Sequence, residues 1–354
     1  MQHSNRILLV VVITILLAPA VQPTQESRDP RETALVKTIS EELISKPPSK
    51  LMLDPFYEKY LDAMGIPVIA SAAVSDTALL IARDIILHML SERPDIRRTL
   101  IRSGQKVGII GHAQKMSDIP EYKNLKKPAF GDRRLTAKEI AEYEKIQKMT
   151  DQEYWNMRAR GLGGVYTTCG EENLLGIPGT RYFGEHILVH EFAHAVHKGI
   201  RACDPELADL IDQAYADAMA LGLWKGQYAS TNSGEYFAEG TQFWFWSNYE
   251  YKDGDKVVYS PLDLRTYDAT LYDLLSRVYP SSHRIPLDVF YNFKESHPDL
   301  IEKKQNNSLS VETGHFDPAS DFVHNPSDCL LITKSKGVLM GSVPYSKEGM
   351  FLKL

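Results

Sequence analysis

The segment His190-Glu191-Phe192-Ala193-His194 sets two imidazoles and a carboxylate close together in the chain. On a helix, residues four apart share a face, so His190 and His194 can reach one metal ion. Glu191 follows about 100° further round the axis, where its carboxylate can act on a water beside that ion. A catalytic zinc takes three protein ligands and leaves one position open. Two histidines leave that set incomplete, and the third ligand must come from elsewhere.

Spacing removes the commonest sources. A third histidine six residues after His194 would fall on Ile200, and a glutamate nineteen or twenty residues after it on Gln213 or Ala214. The metzincin, aminopeptidase-like and thermolysin-like patterns are thereby excluded. His197 shares the face of His190 and His194, but seven residues of helix rise ~10.5 Å, too far to join His190 on one ion. A structural role, or one supporting the ligands from behind, is expected for it.

The run "QYASTNSGEYFAEG" (227–240) offers more. Asn232 or Ser233 can cap a helix on which Glu235 and Glu239, four apart, share a face. The neighbouring Tyr236, Phe237, Phe243, Trp244 and Trp246 call for burial, and buried carboxylates need partners. One glutamate can complete the metal site while the other orients a ligand histidine through its free ring N–H. Spacing leaves open which does which.

These residues need a scaffold, and the chain can supply one. Its 354 residues are 43% hydrophobic and 24% charged, enough for a substantial core in one large or two small domains. A net charge of −6 and a pI near 6.0 give no reason to expect nucleic acid or an anionic membrane as partner. From residue 51 an α+β order is expected. "GIPVIAS" and "KVGIIGHA" read as strands joined through a helix over "ALLIARDIILHMLSER" that Pro94 breaks. "LTAKEIAEYEKIQKM" reads as a surface helix. "GGVYTT" reads as an edge strand, either an ordinary one with no ligand or one that pairs with an extended peptide. Gly184 and Gly199 are expected to bound the histidine helix. Asp204-Pro205-Glu206 starts the next helix, "TYDATLYDLLSRVY" reads as another, and a hairpin is expected around Lys336-Gly337.

The first residues carry an address. Arg6 precedes the apolar run Ile7–Leu17, which ends in Ala18-Pro19-Ala20. A basic start, a short apolar core and a small-residue end describe a secretory signal peptide over 1–20. The run is shorter than the ~20 residues of a spanning helix. A secreted chain, off the membrane after cleavage, is expected, with residues 21–50 as a polar leader. In an oxidising compartment Cys169, Cys203 and Cys329 can form one disulfide, and Cys169–Cys203 is the first pair expected. A sharper alternative makes Cys169 an inhibitory thiolate on the metal. Asn306-Asn307-Ser308 is a glycosylation sequon.

His190-Glu191-Phe192-Ala193-His194, Tyr228 and Glu235-Tyr236-Phe237-Ala238-Glu239 together resemble the catalytic domain of anthrax lethal factor and its relatives, including the secreted Pro-Pro endopeptidases. The resemblance is specific over roughly residues 185–245 and extends to strand and helix order from about 60. It implies Glu235 as third zinc ligand, Glu239 in the outer shell, and Tyr228 pointing at the reaction centre. It departs in carrying no recognisable toxin domain.

The expectation is a zincin-like metalloprotease domain over 51–280: a small mixed sheet, an active-site helix and a mainly helical C-terminal subdomain. Residues 281–354 form an extension without an assigned role. The function expected is a secreted zinc endopeptidase acting on peptides or proteins. One Zn²⁺ per chain is held by His190, His194 and Glu235, with Glu191 as general base and Tyr228 as hydrogen-bond donor. The alternatives are a non-catalytic zinc-bound peptide-binding module and a secreted zinc amidohydrolase acting on non-peptide amides. Retention of both Glu191 and Tyr228 argues against the binding module, because neither is needed to hold zinc.

Overall fold

The computed structural model describes residues 43–132, 135 and 137–296 and, further on, only the strands Thr333–Ser335 and Val338–Met340. The signal peptide expected over 1–20, the leader residues 21–42, Asn306 and Cys329 lie outside the described residues. Those last two strands pair antiparallel, and Lys336 and Gly337 lie outside the described residues.

The chain is mixed α+β. β1 (Lys59–Ala63) and β2 (Ile66–Ala70) form an antiparallel hairpin. Its two-residue turn, Met64-Gly65, has positive φ at both positions, the backbone twist that suits flanking strands. The chain then leaves through α1 (Asp76–Met89) and α2 (Pro94–Arg102) and returns as β3 (Lys106–Ile110), parallel to β2. Pro94 does break the helical run, by starting a second helix at its first position. β2 is almost wholly apolar and buried, as a strand covered on both faces must be.

Between β3 and β4 (Tyr166–Gly170) lie α3 (Ala137–Ala141), α4 (Tyr143–Lys148) and α5 (Asp151–Arg158). The single surface helix expected there is thus two short pieces, followed by a third. α5 starts with a reciprocal cap between Thr150 and Glu153. These helices share a small core of their own, with Ile110, Met116, Ile146, Tyr154 and Trp155. β4 runs parallel to β3 and ends the sheet, in the order β1-β2-β3-β4.

After a single turn, α6 (Glu171–Leu174), comes α7 (Ile187–Cys203), the histidine helix. It buries Leu188, Val189, Phe192, Ala193, Val196 and Ile200 in the main core. His186 is its N-cap, two residues beyond Gly184, and the helix continues past Gly199. A Cβ on Gly199 would stand 2.8 Å from Ile96 Cγ2, so this glycine permits close packing against α2 and ends nothing. α8 (Pro205–Ala220) follows, capped by Asp204, whose carboxylate accepts from the Leu207 N–H at 3.2 Å.

α9 (Ser233–Trp244) is as buried as its aromatics require, with Tyr236, Phe237, Phe243 and Trp244 inaccessible. After a β5–β6 hairpin (Tyr251–Asp253, Lys256–Val258), α10 (Pro261–Tyr267) and α11 (Ala269–Ser276) split the one helix expected there at Asp268. The Asp268 carboxylate accepts from Tyr236 Oη at 2.8 Å and Trp224 Nε1 at 2.9 Å, and also caps α11. One buried carboxylate ties the segment at Trp224, α9 and α11 together. The main core runs past residue 280, through Ile285, Val289, Phe290 and Phe293.

Cys169 and Cys203 are both free thiols. Cys169 is buried in β4, whereas Cys203 ends a helix of seventeen residues, ~25 Å long. The expected pair does not form. Burial pushes the Cys169 thiol well above its ordinary pKa, which opposes the thiolate a metal cap would need.

Candidate metal centre

α7 and α9 pack side by side and bring three side chains to one point. His190 Nε2 stands 3.0 Å from Glu235 Oε2 and 3.3 Å from His194 Nε2. His194 Nε2 is 3.2 Å from the same carboxylate oxygen. Among the described residues, these three are the His, Cys, Asp or Glu cluster able to hold a metal ion. An ion bound tetrahedrally at ~2.05 Å keeps its ligand atoms about 3.3 Å apart. The donor atoms already stand at that separation, so the residues fit zinc.

Local sequence explains the arrival of Glu235. The Asn232 side chain accepts from the backbone N–H groups of Gly234 and Glu235 at 2.9 and 3.0 Å, starting the helix there. Glu235 therefore sits in the first turn, at the end of α9 that faces α7.

The electrostatics couple the triad. Burial disfavours a charged His190, but its hydrogen bond to the Glu235 carboxylate and the charges of Glu239 and Glu191 outweigh it, raising its pKa to about 10. Burial likewise disfavours the Glu235 carboxylate. Hydrogen bonds from His190 and His194 outweigh that and hold it well below the usual range. A carboxylate this strongly committed to its anionic form suits a cation as well as a proton.

The ring of His190 is oriented from the far side. Its Nδ1 lies 3.0 Å from Gln242 Oε1 and 3.5 Å from Glu239 Oε1. Gln242 is buried, and its Nε2 donates to the His186 carbonyl at 3.2 Å. With the amide nitrogen committed there, Gln242 presents an acceptor to Nδ1–H, so Nε2, turned toward Glu235 and His194, is the nitrogen that would exchange its proton for a cation. Glu239, buried beside it, accepts from Asn248 Nδ2 at 2.8 Å and from Gln227 Nε2. Sequence reasoning named Glu239 and missed Gln242, three residues further along the same helix.

Glu191 lies beside the triad. Burial raises its pKa above the ordinary carboxylate value; Glu235 adds to this, His190 and His194 oppose it, and the Gly163 backbone N–H donates to it. Gly163 is pressed against the helix. A Cβ there would stand 3.0 Å from His194 Cβ and 3.1 Å from Glu191 Oε2. Tyr228, in a 3-10 turn before α9, stacks its ring on His190 at 6.2 Å between centroids. It is 41% exposed, which keeps it open to an incoming molecule. His197 stacks on Phe237 with its Nε2 unpartnered among the described residues, away from the triad and in the structural place expected of it.

β4 is an edge strand, but its outer edge is partly occupied. Thr168 exchanges both backbone hydrogen bonds with Leu162, at 2.9 and 3.2 Å. The segment Gly161–Gly164, adjoining Glu191 and His194, therefore lies outside β4.

No family model matches the chain, and no curated protein matches it. Among solved structures it is similar to the Pro-Pro endopeptidase PPEP-2 from Paenibacillus alvei, with 14% sequence identity and a TM-score of 0.38. The likeness covers 60% of this chain and 97% of that one.

Proposed function

We propose that this chain is a zinc-dependent endopeptidase with a zincin-like domain. The observation that carries the reading is the set of three donor atoms within 3.0–3.3 Å of one another, with Glu191 and Tyr228 alongside. His190, His194 and Glu235 would hold one zinc ion per chain, and Glu239 would support the shell behind them. Zinc bound there would lower the pKa of a coordinated water from 15.7 to about 7.

The chain's own groups divide the remaining work. Glu191 accepts a proton from the attacking water and returns it to the leaving nitrogen, and its burial raises its affinity for that proton. The Tyr228 hydroxyl donates a hydrogen bond to the scissile carbonyl oxygen or the leaving nitrogen. Gln242 fixes the His190 tautomer through Nδ1. Gly163, lacking a side chain, leaves Glu191 and His194 undisturbed.

The reading extends along the chain as residues 1–20 directing export, 21–50 as a leader and 51–280 as the catalytic domain, with Ile285, Val289, Phe290 and Phe293 still in its core and the rest of 281–354 as an extension. The substrate is a peptide or protein. Zinc content measured alongside cleavage of a randomised peptide library, for wild type and Glu191→Gln, tests it. One zinc in both and cleavage only by wild type is expected. A zinc-loaded chain that leaves every peptide intact while hydrolysing non-peptide amides would replace the endopeptidase with an amidohydrolase.

A further inference from the structure

Tyr228 is carried on a turn, and that turn is tied to the far side of His190. The 3-10 turn Tyr228–Ser230 starts at Gln227, whose Oε1 accepts from the Ala229 N–H. The Gln227 carbonyl accepts from Ser230 N at 3.0 Å and from Ser230 Oγ at 2.7 Å. From α8, Tyr215 Oη donates to the Ser230 carbonyl at 2.9 Å. The other end of the Gln227 amide leaves the turn: Nε2 donates to Glu239 Oε2 on α9.

The orientation of that amide is forced. A backbone N–H can only donate and a carboxylate accepts, so Ala229 takes the amide oxygen and Glu239 the nitrogen. Glu239 divides its own two oxygens. Oε2 accepts from Gln227 and, at 2.8 Å, from Asn248 Nδ2, while Oε1 faces His190 Nδ1 at 3.5 Å. Tyr228 stacks on the same imidazole, 6.2 Å between centroids. His190, Glu239, Gln227 and Tyr228 thus form a closed circuit. Glu239 and Asn248 are buried, and away from water such hydrogen bonds are electrostatically stronger.

We propose that Gln227 is a positioning residue that joins Glu239 to the Tyr228 turn, so that one buried carboxylate sets both the His190 ring and the phenol stacked on it. Its catalytic meaning rests on the endopeptidase reading. Gln227 touches no reacting atom and acts through Tyr228 alone. Its two side-chain bonds are separable. The bond to Ala229 spans two residues, a reach that asparagine also has, whereas the bond to Glu239 needs the extra methylene. Gln227→Asn therefore keeps the cap of the turn and cuts the tether.

Two measurements test it. In the first, 3-fluorotyrosine placed at position 228 alone reports its surroundings through the ¹⁹F shift, in the metal-free chain and without turnover. Glu239→Ala should displace that resonance, and should displace it no further when Gln227→Asn is already present. A displacement that persists undiminished would run through His190 and overturns the proposal, as does a resonance that Glu239→Ala leaves unmoved. The second is a peptide-hydrolysis cycle of Gln227→Asn, Tyr228→Phe and the double variant. Gln227→Asn should lower kcat about tenfold with KM and zinc content unchanged, and cost nothing further once Tyr228 is phenylalanine. Wild-type kcat in Gln227→Asn would make Gln227 a cap of the turn only, and that result, or losses that add, overturns the proposal. Should Gln227→Asn fail to fold, Gln227→Met, which keeps the length of the side chain, takes its place in both measurements. A wild-type chain that cleaves no peptide defeats the endopeptidase reading, and the ¹⁹F measurement alone then decides whether Gln227 joins Glu239 to Tyr228.

Discussion

Gln242 Oε1 lies 3.0 Å from His190 Nδ1, within hydrogen-bond reach, while the nearest Glu239 oxygen is 3.5 Å away. A neutral amide in that place fixes the imidazole without adding a third charge to a buried pair of glutamates. Glu239 is left free to accept from Gln227 and Asn248, which fastens the loop leading into Tyr228.

Zinc affinity should rank accordingly. Glu235→Ala removes a donor atom and should abolish stoichiometric zinc. Gln242→Ala should weaken zinc by ~10–100-fold, the usual cost of losing a partner behind a ligand. Glu239→Ala should weaken it less than Glu235→Ala. Competition with a calibrated chelator measures all three, and equal affinities for the Glu235 and Glu239 variants would reverse their assigned roles.

Glu191→Gln and Tyr228→Phe should separate catalyst from scaffold. Both should keep one zinc and still bind substrate peptide. Glu191→Gln should have no detectable turnover, whereas Tyr228→Phe should lower kcat by roughly 10²-fold with little change in KM. Steady-state kinetics decides, and a Tyr228→Phe enzyme with wild-type kcat would leave Tyr228 as a mere neighbour of His190.

Gly163→Ala probes the crowding over α7. The added carbon would need about 3.0 Å to His194 and 3.1 Å to Glu191, tighter than ordinary contact, so one of them has to move. We expect kcat/KM to fall while the melting temperature changes little. Full activity in this variant would show that the Gly161–Gly164 segment yields freely.

Asp288 should make stability depend on pH. Burial raises its pKa from 3.8 to about 7, and His186, 4.0 Å away, is itself pushed down to about 3 by burial and stays neutral. Below the unfolded value both states hold the proton and the group contributes nothing. Between 3.8 and about 7 the folded state holds more protons than the unfolded, so stability falls as pH rises, and levels off above. Asp288→Asn removes that loss. Its unfolding free energy at pH 8 should exceed that of wild type by on the order of a few kcal/mol, and the gap should narrow by pH 5. A gap independent of pH would mean that Asp288 is ionised in the fold.

The sequence made the chemistry easier to read than the packing. His190 and His194 announce themselves because helix geometry alone places them together. Glu235 and Glu239 do so because carboxylates amid aromatics have few explanations. Tyr228 was reached through family resemblance alone. Gln242 gave no comparable signal: its role exists only because α9 lies against α7. Gly163 and Gly199 carry the same lesson, since close approach is a property of two segments, and a chain read one segment at a time cannot show it. Order in sequence likewise misled for Cys169 and Cys203, which flank a long helix at opposite ends. The β1–β2 hairpin escaped notice because "KYLDA" is a short, half-polar strand whose partner supplies most of the burial.

Forty residues lie between His194 and Glu235, and a complete helix, α8, runs among them. During synthesis the two imidazoles emerge together as a local pair, while the carboxylate arrives only after the chain has travelled out and come back. A half-made chain can thus offer a metal a two-point grip at most. The third contact is granted by tertiary structure, so in a hydrolytic enzyme of this design the capacity to cut would be acquired last, once the molecule bearing it has finished folding.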